Sequence, residues 1–588
     1  MRFTSSIAAP SSNRIPFLGW AVLLAMAVHG PLLFMQLPAS SFDANTHMFF
    51  ADHYAKHWFN PWNEKWFAGF SQTTYPPLTH QLVALFSHVL GLTTAYMFVQ
   101  GLVILLLPVG MYRFAKLWIS EEAARYAAIG SIFLGSLAQM VYQSGQINTT
   151  FASVMMLNAL PYFYNWIREG RMTGLLKGLA VFMVGCAAHH VSMIFAAPFF
   201  TFPVIVLALL DRKAEGADAS FAGVISRTIL FGAITLIALG LVLLPYWITL
   251  YHNPIKQAPI YHESRANYLL EPHYGMNFFI VPTVAVLLAF PFIFWRGATS
   301  RRLRPLLFGW YVTMIVGLGG TTPLPKMLFG FAWEILTYER FTYWATLMAM
   351  PFVGLLAERL IARFRMKAVT VLAVAAVASC ASLLAWLHFN PITASPFNIE
   401  DIVSFLNRDN HSKYRYLTLG FGPQFSHLST LVDASTVDGD YNSARLLPEL
   451  TENGSAKLSD AKYFGANGME ALRAMLKHAN HYGLKYIFVR DRYYEPLLAF
   501  AGWRLAETYD NGNVTLWSKE DIAPAHKIEP PPGAQPTPLE GLLWGTLPVS
   551  TVIIAIAFLM LLPERRRFAE TVEFPTPEAE PVVLREAK

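Results

Sequence analysis

Residues 41–78 read SFDANTHMFFADHYAKHWFNPWNEKWFAGFSQTTYPPL, and within them stand Asp43, His47, Asp52, His53, Lys56, His57, Glu64 and Lys65. Apolar runs flank the stretch on both sides, so this density of ionisable groups is out of keeping with its surroundings. A connector between two membrane helices needs few such groups, whereas loops that carry function hold titratable and aromatic residues together. The stretch reads as the active-site loop of a membrane enzyme. Periodicity leaves one other reading open: an interfacial helix with solvated charges, in which Trp58, Trp62 and Trp66 form an aromatic belt.

The composition supplies the membrane. Of the 588 residues, 54% are hydrophobic and 14% charged, against about 25% charged in soluble domains. The net charge of +6 lies largely in Lys and Arg clusters between apolar runs, as the positive-inside rule expects, and gives no ground for a nucleic-acid partner. Cys186 and Cys380 both fall inside apolar runs, which argues against a structural disulfide or a cysteine metal site.

Residues 16–37 form the first run long enough to span a bilayer, read as an uncleaved helix with its N-terminus inside. Further runs lie near 96–117, 124–142, 150–167, 174–190, 191–210, 227–249, 276–295, 305–320, 340–357, 368–388 and 541–562. By length this makes roughly 12–13 membrane helices. Residues 78–91 are apolar but short, and a crossing there would move every later basic cluster outside, so a partly inserted or re-entrant helix is expected. The same parity puts residues 143–148, the turn near His189 and His190, residues 251–275 and residues 321–340 on the outer face, with a second re-entrant element in the last.

From about 390 to 540 the chain turns polar and reads as a small outward-facing α/β domain. Helices are expected near 399–406 and 469–481, strands near 414–419, 484–489 and 514–517, and a turn at 511–513. A proline-rich linker leads to the last membrane helix at 541–562, and residues 563–588 read as a disordered cytoplasmic tail. The expected fold is mainly α. A polytopic helical domain over residues 1–389, with its first outer loop at 38–78, carries the small C-terminal domain, and both termini are cytoplasmic.

Asp43 and His47 stand four residues apart and share a face if the loop begins helically. A carboxylate there acts as a general base on an acceptor hydroxyl, worth about 10²–10⁴ in rate, or organises a divalent metal, Mg or Mn, with His47 as co-ligand. The order of residues also carries a resemblance. The acidic residue after the first helix, the histidine four positions on, NPWNEKWFAGF (60–70) and Tyr75-Pro76-Pro77-Leu78 resemble the first outer loop of C-type (GT-C) glycosyltransferases. The chain is most similar to polytopic proteins named 6-pyruvoyl-tetrahydropterin synthase-related membrane proteins. AAHHVSMIFAAPF (187–199), LTYERFTYWATLMAMPFVGLLAERL (336–360), YGLKYIFVRD (482–491) and YDNGNVTLW (509–517) follow that pattern in order.

The resemblance implies transfer of a sugar from a polyprenyl-phosphate donor to a glycan, lipid or protein acceptor. It places the site on the periplasmic side of a bacterial inner membrane and makes Asp43 catalytic. The loop has no Asp-x-Asp pair, which leaves metal dependence open. A phosphate leaving group needs positive charge, and the outer-side candidates are Arg340, Lys326, Arg265 and Lys256. Arg340 comes first because Glu339-Arg340-Phe341 stands where a re-entrant piece meets a spanning helix, although an anchoring arginine that snorkels to headgroups would look the same. His189 and His190 either line the cavity or cap a helix end, and Tyr75 with its two prolines shapes the loop. The competing classes are a lipid or glycolipid transporter or flippase, in which intramembrane ionisable residues mark the pathway, and a non-catalytic scaffold. No internal repeat is visible and the acidic groups gather in one outer loop, which weighs against transport.

Overall fold

The computed structural model describes residues 16–213, 219–254, 262–393, 395–452 and 457–563. Lys256 and the tail expected beyond residue 563 lie outside the described residues. Helix α1 (Phe17–Phe34) leads through a short 3₁₀ turn to α2 (Ala44–Lys56), which begins directly after Asp43. Helix α3 (Leu78–Leu90) starts after Pro76 and Pro77, whose rings exclude them from a helix interior, and it stops at Gly91. Gly91 has φ of 76° and admits the turn into α4 (Leu92–Ala115). Thirteen residues of helix make α3 about 20 Å long, short of the ~30 Å of a hydrocarbon core.

Seven described helices are long and apolar enough to cross a bilayer: α1, α4, Met172–Leu210, Phe221–Val242, Glu339–Phe364, Met366–Phe389 and Pro538–Leu561. The pair Pro272–Leu288 and Phe290–Thr299, bent by 60°, makes an eighth if it counts as one span. The 12–13 expected from the sequence exceeds this because several runs form helices that are shorter or more polar. Glu121–Ile132 and Arg304–Gly317 are short. Ile147–Glu169 buries Asn148, Thr149, Thr150, Ser153 and Asn158, residues that face other helices rather than lipid. Met172–Leu210 joins two of the expected runs across a backbone break at His189. Gly185 and Met193 would stand about 12 Å apart along an unbroken helix. Yet Met193 Sδ lies 3.0 Å from where a Cβ on Gly185 would be, so the element is two arms meeting at His189.

The C-terminal domain is a four-stranded sheet in the order β3-β4-β6-β5, formed by β3 (Arg415–Leu419), β4 (Leu484–Val489), β5 (Arg504–Tyr509) and β6 (Val514–Ser518). Strands β3 and β4 are parallel, and the helices Gln424–Leu431 and Gly465–Lys477 lie in the connection between them. β5 and β6 form a hairpin across the 510–512 turn, where Asn511 and Gly512 have positive φ. Sequence periodicity gives no sign of β5, because this edge strand is exposed along most of its length and carries Arg504 and Glu507 where alternation would show.

The loop of residues 41–78 is built into this domain. Trp66 is fully buried, stacks on Phe49 at 3.8 Å and on Phe425 at 5.6 Å, and donates its indole N–H to Ser429 Oγ at 2.9 Å. Phe49, Phe50, Phe67 and Phe70 belong to the same core as β3 and β4. Main-chain bonds join the Lys65, Phe67 and Ala68 stretch to Thr436 and Asp438. β1 (Trp62–Asn63) and β2 (Phe70–Ser71) close the loop into a small hairpin. Trp66 is thus a core residue of the C-terminal domain, and Trp62 is buried in β1, which removes both from an aromatic belt. The last helix holds the loop from the other side. Trp58 donates to Gly545 O at 2.8 Å, Trp544 to Tyr54 OH at 2.9 Å, and Gln81 to Trp544 O at 2.9 Å.

Candidate active site

Asp43 is placed by main-chain bonds on both sides. Phe42 N–H donates to Gln143 O at 2.9 Å, Asp43 N–H to Ser144 O at 3.0 Å, and His47 N–H to Asp43 O at 3.0 Å. The close approach depends on Gly145, where a Cβ would fall 2.5 Å from Ser41 Oγ and 2.9 Å from Ala44 N. The carboxylate does not cap its own helix. It lines a cavity of about 650 Å³ between the membrane domain and the C-terminal domain.

Gln146, His262, Arg265, Glu339 and Arg340 line the same cavity from the membrane side. Arg340 is the second residue of its helix and donates from Nε to Gln146 Oε1 at 2.6 Å. A helix N-terminus adds partial positive charge where Arg340 stands. Glu339 is buried, and its Oε2 has no hydrogen-bond partner among the described residues. The chain around Arg265 is fastened to the entrance of that helix: Arg265 Nε donates to Leu336 O at 3.0 Å, and Tyr338 N–H to Ser264 Oγ at 2.9 Å.

The C-terminal domain supplies the facing wall with Asp440, Asn442, Lys457 and Asp460. Asp440 accepts from Thr46 Oγ1 at 3.0 Å and from Ser426 Oγ at 3.4 Å, and its other oxygen pairs with the Lys457 ammonium. Asp460 lies 3.8 Å from the same ammonium, which stands 5.4 Å from the centre of the Phe42 ring. Burial opposes the charge on Lys457, but Asp440 and Asp460 outweigh it and hold the ammonium above its usual range. Asp43 is pushed up to about 7 by burial and then by Asp440 and Glu339, with Arg340 and Lys457 pulling the other way. A carboxylate poised there can take up and release a proton at neutral pH.

Of the residues singled out in the sequence, Asp43, Arg265, Glu339 and Arg340 meet at the cavity. His47, Tyr75, His189, His190 and Lys326 are not among its lining residues. His47 Nδ1 lies 3.0 Å from His80 Nε2, and burial followed by the Arg340 charge holds the His47 imidazole down at about 3. Tyr75 packs 6.0 Å from His47 and stacks 5.8 Å from His189, so these rings form a buried support behind the loop. His189 also pairs with Ser192 at 2.7 Å, and His190 packs edge-on to Tyr246 at 4.6 Å. Lys326 is exposed on the short helix Leu324–Phe329. Among the described residues no three His, Cys, Asp or Glu side chains gather as a metal-holding group. The Asp43–His47 pair weighed for Mg or Mn is not brought together at the cavity: Asp43 lines it, while His47 lies outside its lining with Nδ1 against His80.

Asp440, Lys457, Gln146 and His262 were not legible as site residues. Asp438-Gly439-Asp440, two carboxylates about a glycine, is the one local signal that could have pointed to the C-terminal contribution.

Several solved membrane glycosyltransferases share this architecture. ArnT from Cupriavidus metallidurans, bound to undecaprenyl phosphate, aligns with a TM-score of 0.53 at 11% identity, over 86% of this chain and 99% of that one. The arabinofuranosyltransferase AftD from Mycobacteria gives 0.51 at 13% identity, over 86% of this chain and 40% of that larger one. The Archaeoglobus fulgidus oligosaccharyltransferase tethered to an acceptor peptide gives 0.51 at 10% identity, over 86% and 74%. No protein-family model and no curated protein matches the sequence. The chain has the GT-C fold, that of polytopic membrane glycosyltransferases, with a small sheet domain at its C-terminal end.

Proposed function

We propose that the protein transfers a sugar from a polyprenyl-phosphate donor to an acceptor hydroxyl or amide at the outer face of a bacterial inner membrane, with Asp43 as general base. The observation that carries this reading is a carboxylate poised at about 7 in a cavity that also holds Arg340. Asp43 takes the acceptor proton as the acceptor atom bonds to the anomeric carbon. The bond from that carbon to the phosphate oxygen breaks, and the phosphate leaves with the electron pair. Arg340 is placed to receive the developing negative charge, fixed in advance by Gln146 and supported by the helix N-terminus. The undecaprenyl phosphate bound by ArnT and the acceptor peptide of the archaeal enzyme support a lipid-linked donor and a glycan, lipid or protein acceptor for this chain. In this reading the cavity faces the periplasm and both termini lie in the cytoplasm.

Two tests follow from the site's chemistry. The base works only when ionised, so kcat/KM should rise with pH through about 7 as a one-proton step and level off above it. A flat profile across that range would remove Asp43 as the base. Transfer should also persist in excess EDTA without stimulation by Mg or Mn, since the cations come from the chain. Loss of turnover in EDTA that added metal restores would contradict this.

A further inference from the structure

The ion pair of Lys457 with Asp440 lies within one domain, the C-terminal one, so it does not tie the two domains together. That is done by the Trp66 core, the Thr436 and Asp438 main-chain bonds and the Thr46–Asp440 bond. The pair is nevertheless sheltered, with side-chain exposure of 16% for Lys457 and 8% for Asp440, on the wall of the cavity that holds Asp43 and Arg340.

We propose that Lys457 is a donor-phosphate ligand supplied by the C-terminal domain, held ready by Asp440 and turned onto the phosphate when the lipid-linked donor enters. The proposal rests on the transferase reading above. Carboxylates outnumber cations on the cavity wall, so an anionic headgroup needs a cation from the facing wall as well as Arg265 and Arg340. Lysine suits an exchange of partners, because its ammonium is a compact charge with three donors on a flexible four-carbon stem. Asp440 is built to let it go. The hydroxyls of Thr46 and Ser426 both donate to its Oδ2, so the carboxylate keeps two hydrogen bonds when the ammonium leaves. Contact with Phe42 keeps the ammonium beside the residue that precedes Asp43. The phosphate would then lie between a cation of the membrane domain and one of the outer domain, and donor binding would draw the two together.

The experiment measures binding of a polyprenyl monophosphate to the full-length protein in nanodiscs, with inorganic phosphate as a second probe. It compares wild type with Lys457→Met, Lys457→Arg and Asp440→Asn at matched melting midpoints. Lys457→Met should weaken lipid-phosphate binding by about 10–100-fold, the scale of a lost charged hydrogen bond. Lys457→Arg should recover most of it, and Asp440→Asn should bind as well as wild type or better, because it frees the lysine. A merely structural pair predicts the opposite pattern, with Asp440→Asn as damaging as Lys457→Met, and that result overturns the proposal. Inorganic phosphate binding as tight as the lipid would also overturn it, by marking a free-phosphate site. If the wild type binds no lipid phosphate, the transferase reading itself fails; if it binds and Lys457→Met binds equally, only the role of Lys457 does.

Discussion

Asp43→Asn is expected to lower sugar transfer by about 10²–10⁴-fold, the usual worth of a positioned general base, while the protein stays folded and still binds its donor. The side chain makes no cap bond to α2, and the bonds that place the residue come from its main chain, so an isosteric amide leaves the start of the helix intact. What it removes is the ability to take a proton. Stability should not fall. The raised proton affinity of Asp43 means that the folded state favours the neutral acid, so ionisation costs stability as pH rises from the ordinary carboxylate range through about 7. Above that pH a neutral Asn escapes the cost, and the melting midpoint should hold or rise. A variant that loses activity only by unfolding would leave the catalytic role without support.

The second large effect concerns the seam between the 41–78 loop and the C-terminal domain. Trp66→Ala should destabilise the docked C-terminal domain by about 3–5 kcal/mol, the range for emptying a tryptophan site in a packed core. It also leaves the Ser429 hydroxyl without its indole donor. Since Asp440 and Lys457 reach Asp43 only while the domain is seated, transfer should fall along with stability although Trp66 is outside the cavity lining. Limited proteolysis of the 390–540 region checks this. Faster cleavage in Trp66→Ala at temperatures where the wild type resists is the expected result, and equal rates would show that the loop and the domain are held by other contacts.

The helical membrane domain and the α/β domain were legible because their signals are local: long apolar runs in one, and short β-branched or aromatic strands with a turn at 511–513 in the other. Asp43 stood out by the density of ionisable groups in its loop and by the resemblance, Glu339 and Arg340 by their place at the start of an expected spanning helix, and Arg265 as a cation expected on the outer side. Helix count was less legible, since length and apolarity cannot show that Ile147–Glu169 spends its polar residues on neighbouring helices, whereas the turn expected near His189 and His190 coincides with the backbone break at His189. His47 lies outside the cavity lining for a different reason. A spacing of four puts it near Asp43 on a helical face, but His80, thirty-three positions on, takes its ring nitrogen. Asp440 and Lys457 come from a segment about four hundred residues from Asp43, and their place is set by the tertiary packing of Trp66 and Phe67 into the C-terminal domain.

The most direct measurement is sugar transfer itself. Wild-type protein and Asp43→Asn, reconstituted in equal amounts, are each given a radiolabelled pool of polyprenyl-linked sugars and cell-envelope acceptor. Label should pass from the lipid to the acceptor with the wild type and not with Asp43→Asn. A folded wild-type protein that moves no label, or transfer that Asp43→Asn leaves undiminished, would contradict the assignment of this cavity as a glycosyltransferase site.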